Sequence, residues 1–244
     1  MKYLTKEWYH TMTDTGLGVC LETDARAAEC SEEIYQTLRA RKLAQWLRDR
    51  EEVCEVLEEP FDPAEEERRF GEFCARELEH YRTRMPEHIL SKVADLRVLA
   101  LGYCTEEVWQ ELEDFRRDCR IRTEQTMEDA WNACEAEGLD KIWTLEHSLH
   151  DSVILSMERE GEDLWIEFER EDCDWPEIKG IRFRDARILT QEKSVENTWW
   201  LYDEIHRCER GCEIHALLWR DEPFELTVEC TDVELVWTEI EPEH

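Results

Sequence analysis

The feature that most constrains this chain is a change of hydrophobic period near residue 140. Before it apolar residues recur every three to four positions, and after it every second position. The first spacing lays a stripe along one side of a helix, and the second lays a face along one side of a strand. A block of helices followed by a block of strands predicts an α+β protein. We expect an N-terminal helical domain over 1–140 and a mainly antiparallel β domain of about seven strands over 141–244. The connection near 138–146 is short, and no internal repeat or low-complexity linker separates the blocks.

In the first block one helical stretch is predicted from Thr23 to Glu58, with Ile34, Tyr35, Leu38, Leu43, Trp46, Leu47, Val53, Cys54 and Leu57 at amphipathic spacing, and Pro60 closes it. Asp62-Pro63-Ala64-Glu65 then supplies a capping acid and a proline for the first helical position, ahead of the stripe Phe70, Phe73, Cys74, Leu78 and Tyr81. A third, short helix is expected from Pro86 to Gly102. Thr105 caps a last long one ending at Gly138, whose stripe is interrupted at Arg120–Thr123, where a kink is expected. In the second block Leu164, Ile166 and Phe168 alternate with Trp165, Glu167 and Glu169, and Phe224, Leu226, Val228 and Cys230 with Glu225, Thr227 and Glu229. Further strands are read at Val153–Met157, Ile178–Leu189, Trp199–Cys208, Cys212–Trp219 and Val233–Ile240. Glu160–Asp163 and Glu209–Gly211 are read as hairpin turns.

Charge then restricts function. With 62 acidic and 30 basic residues the net charge is −32, which opposes direct binding to nucleic acid or to an anionic membrane. The hydrophobic fraction of 41% with 11 Trp is that of a folded chain, not of a disordered acidic tail. Acids outnumber bases 34 to 19 up to residue 140 and 28 to 11 beyond it, and the second stretch holds seven of the 11 Trp. Met1–Trp8 lacks the apolar core of a secretory signal, and no run approaches the roughly 20 apolar residues of a membrane span. The 11 Cys are scattered, with no Cys-x-x-Cys, so free thiols in a reducing cytoplasm are expected.

Met1-Lys2-Tyr3-Leu4-Thr5-Lys6-Glu7-Trp8-Tyr9, Leu149-His150-Asp151-Ser152, Trp200-Leu201-Tyr202-Asp203-Glu204-Ile205 and Glu213-Ile214-His215 together resemble an uncharacterised bacterial family. Its members occur mostly in Gram-positive bacteria and are classed as a domain of unknown function. The resemblance covers essentially the whole chain. It implies a bacterial cytosolic protein and carries no reaction, cofactor or catalytic residue with it.

The eight Gly are spread singly, without the phosphate-binding patterns, and no Gly-x-Ser-x-Gly elbow is present. Two candidate sites for a divalent metal remain. His147, His150 and Asp151 cluster where the first strand begins and could serve a metal-dependent hydrolase, with His150 and Asp151 as its catalytic pair. The structural alternative is that they fix the strand start. In the second, His206, Cys208, Cys212 and His215 flank a hairpin turn and could hold zinc structurally. A two-residue Arg-Gly turn sets His206 opposite His215 and Cys208 opposite Glu213, whereas a three-residue turn opposes Cys208 and Cys212. Finally, Trp165, one of Trp199 and Trp200, and Tyr202 are candidate contacts on an acidic β surface that selects a basic protein or peptide. This binding role is the leading expectation, ahead of either metal site.

Overall fold

A computed structural model describes residues 1–139, 149–169 and 178–237. Its helices are α1 (Lys6–Asp14), α2 (Glu32–Leu57), α3 (Pro63–Arg84), α4 (Glu87–Leu90), α5 (Leu96–Ala100) and α6 (Glu106–Ala136). Its strands are β1 (Glu22–Thr23), β2 (Tyr103–Cys104), β3 (Ser152–Glu160), β4 (Asp163–Phe168), β5 (Ile178–Arg184), β6 (Arg187–Gln191), β7 (Thr198–Cys208), β8 (Gly211–Trp219), β9 (Pro223–Cys230) and β10 (Asp232–Trp237). Helices followed by an antiparallel sheet make the chain α+β, as the change of period indicates.

Local chemistry sets the helix limits. α2 starts later than the stripe suggests because Glu22 and Thr23 extend to pair with Tyr103 and Cys104. Asp24 then starts a 3-10 turn by accepting from the Arg26 N–H at 3.0 Å. Glu58, at φ 57°, closes α2, its N–H directed to the Cys54 and Glu55 carbonyls. Asp62 caps α3 through the Ala64 N–H at 3.0 Å, with Pro63 in the first turn. The single helix expected between Pro86 and Gly102 is instead two. Asp95 caps a new start by accepting from the Arg97 N–H at 2.9 Å, and Gly102, at φ 92°, ends it. α6 is assigned as one helix through the interruption at Arg120–Thr123.

The chain divides into two compact units, Thr13–Arg120 and Met1–Met12 together with Ile121–His244. This spatial division differs from the pattern-based one: the first twelve residues and the second half of α6 go with the strands. Within Thr13–Arg120 one apolar cluster holds Leu38, Phe70, Val98, Leu101 and Tyr103, and another holds Tyr81, Ile89, Leu99, Val108 and Leu112. Glu66 is buried there, at a cost that its partners offset: it accepts from Trp46 Nε1 at 3.3 Å, Arg50 Nε at 3.1 Å and Arg69 Nη1 at 2.8 Å.

In the other unit β3–β10 form one sheet in the order β10-β5-β4-β3-β7-β8-β9-β6. The eighth strand, beyond the seven expected, arises because the run Ile178–Leu189 breaks at Asp185, φ 45°, and its halves join opposite ends of the sheet. In a flat sheet β5 and β6 would stand about 29 Å apart, six spacings of roughly 4.8 Å. The link through Asp185 and Ala186 reaches only about 11 Å, so the sheet must coil until its ends approach around one core. Thr231, the residue between β9 and β10, donates to the Arg184 carbonyl of β5 at 3.0 Å in the same closure. Ile154, Ile166, Ile181, Phe183, Trp200 and Leu218 fill the core, with Phe168 edge-on to Trp200 at 5.8 Å.

Gly180 of β5 leaves the space in which the Trp165 ring lies. A Cβ there would collide with the Ile166 carbonyl oxygen and stand 2.7 Å from the Trp165 ring. Gly180→Ala is therefore expected to destabilise the fold by about 1–3 kcal/mol. The urea midpoint of the variant checks this, and an unchanged midpoint refutes the close approach.

Candidate functional site

Asp151 immediately precedes β3; its φ of 65° turns the chain into the strand, and its N–H donates to the Trp200 carbonyl at 2.9 Å. His150 Nδ1 lies 3.0 Å from Asp151 Oδ2, and the His150 ring meets Tyr202 edge-on at 4.9 Å. His147 falls outside the described residues. Among the described residues His150 and Asp151 join no group of three metal-ligating side chains.

The β7–β8 hairpin takes neither register weighed from the sequence. Glu209 and Arg210 form its turn, with Cys208 opposite Gly211, His206 opposite Glu213 and Glu204 opposite His215. Gly211 is a strand residue at φ 146°, where a Cβ would stand 2.5 Å from the Cys230 carbonyl oxygen. The glycine serves the close approach of β9 and not the turn, which moves the register. Because side chains alternate, Glu204, His206, Cys208, Glu213, His215 and Glu229 share one face of β7–β9. Cys212 faces the core, its Sγ 3.6 Å from that of Cys230. The hydrogen bond with Cys212, together with burial, pushes the Cys230 thiol up. The four-ligand set His206, Cys208, Cys212 and His215 is thus divided between two faces. His206 and His215 remain diagonal neighbours, ring centroids 5.3 Å apart.

Glu204 organises the polar face. Its carboxylate is buried and accepts from the N–H groups of Lys2, of Tyr3 at 2.9 Å and of Leu4 at 3.4 Å. The peptide that follows is held by aromatic contacts: Tyr3 stacks on His206 at 6.2 Å, Trp8 meets Tyr202 edge-on at 4.8 Å and Tyr9 packs on Trp219 at 5.8 Å. Trp8 Nε1 donates to the Thr123 carbonyl at 3.2 Å. Burial alone would push the Glu204 carboxyl up, but His206 beside it and the Lys2 and Tyr3 amides hold it below its ordinary value. Burial pushes His215 down. The four segments that carry the family resemblance, far apart in sequence, all contribute to this neighbourhood.

The aromatic candidates have unequal surroundings. Trp200 is fully buried, its Nε1 donating to Asp203 Oδ2 at 2.7 Å. Trp165, expected on an open charged face, is only 8% exposed, because it lies across Gly180 with Arg182 5.6 Å and Lys179 5.9 Å from its ring. Tyr202 is half-buried under Trp8 and His150, and Trp199 is 44% exposed. A different aromatic surface stands open. Leu4, Met127, Ala130, Trp131, Cys134 and Ile205 line a groove of about 440 Å³. Met127 and Trp131 are exposed beyond 40%. Both stand at helical spacing on α6 with Ala130 and Cys134, a pattern that does not distinguish an open stripe from a buried one.

These features define an α+β protein with a coiled antiparallel sheet, one polar titratable face and an apolar groove. The chain matches, over residues 33–229, the family described as Protein of unknown function (DUF4085), and belongs to it. No curated protein and no solved structure matches the chain.

Glu204 and His215 predict acid sensitivity. A depressed Glu contributes stability that is present above its unfolded pKa, about 4.3, and is lost as pH falls through the lower folded value. A depressed His likewise makes stability fall as pH drops below about 6.5, where the unfolded chain gains a proton first. Unfolding free energy is therefore expected to fall on acidification in two limbs. Glu204→Gln, which turns an amide N–H₂ toward backbone donors, should make the lower limb shallower without abolishing it, because neighbouring cations also hold the carboxyls of Asp24, Asp95 and Glu192 down, and should cost about 1–3 kcal/mol at neutral pH. Urea titrations across pH, with hydrogen exchange at Lys2–Leu4, check both effects.

Proposed function

We propose that this chain is a non-enzymatic binding protein of the bacterial cytosol that captures a basic, amphipathic peptide segment of a protein partner. The observation that carries the reading is the apolar groove at Trp131 with acids along its flank. Glu124, Glu128 and Glu135 are exposed on α6, on the side next to Trp131, and Asp203 lines the groove from β7. An apolar side chain entering between Met127 and Trp131 would bring neighbouring Lys or Arg against these carboxylates. Met and Trp suit such a contact, the first by adapting its shape and the second by supplying a large rigid face. The net charge of −32 steers a cationic segment and repels polyanions.

The cytosolic assignment is supported by the thiols, since no disulfide joins the described cysteines. No helix among the described residues is long and apolar enough to cross a membrane. A hydrolase centred on His147, His150 and Asp151 has weaker support, because the described pair is engaged with each other and with Tyr202.

Isothermal titration with a synthetic Lys/Leu amphipathic helix tests the proposal. We expect binding that weakens with salt, at least tenfold loss in Trp131→Ala, and no binding of the Glu/Leu counterpart. Equal affinity for both peptides, or an unchanged affinity in Trp131→Ala, overturns it.

A further inference from the structure

We propose that Cys208, Glu213 and Glu229 form a binding site for a thiophilic divalent cation of the zinc class on the polar face of β7–β9. One ligand atom from each of these residues lies within 4.8 Å of the other two, and each comes from a different strand of the same face. Around a tetrahedral zinc with bonds of about 2.0–2.3 Å, ligand atoms stand roughly 3.5 Å apart, so side-chain rotations of little more than an ångström close the site. Neither His215 nor Cys212 is a ligand here, which separates this site from the four-residue set suggested by the hairpin sequence.

The neighbours already orient the carboxylates. His215 Nε2 lies 3.1 Å from one Glu213 oxygen, and His215 Nδ1 lies 3.3 Å from Thr227 Oγ1. Arg210 donates to Glu229 Oε2 at 3.0 Å, leaving Oε1 directed to Cys208 Sγ at 3.9 Å. Outer contacts of this kind fix ligand orientation in metal sites. Glu213 and Glu229 also face each other directly across β8 and β9; Arg210 at 3.0 Å and Arg187 at 3.9 Å already offset the Glu229 charge through Oε2, so the pair can approach one cation without bare like-charge repulsion. On binding, the Cys208 S–H bond breaks, its electron pair forms the sulfur–metal bond and the proton passes to water. Two carboxylates and one thiolate then meet the dication, with Arg210 beside Glu229 to offset the remaining negative charge.

Cobalt(II) titration of the full chain under reducing conditions tests the site. We expect a thiolate-to-cobalt charge-transfer band that zinc bleaches, that is lost in Cys208→Ser and persists in Cys20→Ser, and whose apparent affinity falls at least tenfold in Glu213→Gln and in Glu229→Gln. In the unaltered protein, zinc should slow alkylation of Cys208 at least tenfold, read by peptide mass spectrometry, which keeps the test independent of how the variants fold. Absence of the band, its persistence in Cys208→Ser, full affinity in both Glu variants, or alkylation of Cys208 indifferent to zinc overturns the proposal.

Discussion

The buried carboxylate of Glu204 is the constraint on which the strand-containing unit depends. A charge removed from water is tolerated only when donors converge on it, and here they come from the backbone of residues 2–4, about two hundred positions away in sequence. Once these amides are held, Tyr3, Trp8 and Tyr9 fall against His206, Tyr202 and Trp219. The same docking supplies Leu4 to the apolar groove beside Trp131. One electrostatic requirement thus places an aromatic cluster and one wall of a candidate binding surface.

Close backbone approach is the second organising element. Gly180 lets a Trp ring cross β5, and Gly211 lets β9 pass against β8. A side chain at either position would meet a carbonyl oxygen of the neighbouring strand. The coiling of the sheet is imposed by connection length, since a two-residue link cannot span a flat sheet. With the ends of the sheet brought together, Arg210 in the β7–β8 turn reaches Asp185 in the β5–β6 link, Nη2 to Oδ2 at 2.6 Å, as well as Glu229.

Local rules were legible where the deciding atoms are close in sequence. The Asp62-Pro63 cap, the Gly102 stop and the Glu160–Asp163 turn involve partners within a few residues, and each was read from residue type alone, whereas the stop read at Pro60 falls instead on the left-handed Glu58. Failures occurred where a distant partner decided the outcome. α2 begins late because of Tyr103 and Cys104, and the hairpin register shifts because of Cys230. Trp165 is covered because the residue opposite Glu167 happens to be glycine. The groove at Trp131 escaped the sequence reading because helical spacing alone does not tell a buried stripe from an open one.

The sequence by itself determined the two periods, hence helices followed by antiparallel strands, and a charge that repels polyanions. Both follow from residue type and spacing, which need no partner. Only the tertiary structure decided that the first twelve residues pack with the strands, that Cys208 joins Glu213 and Glu229 while Cys212 turns to the core, and that Trp131 stays open. Strand register and the docking of the first residues are settled by long-range contacts: three backbone amides against one carboxylate, and a glycine against a carbonyl oxygen.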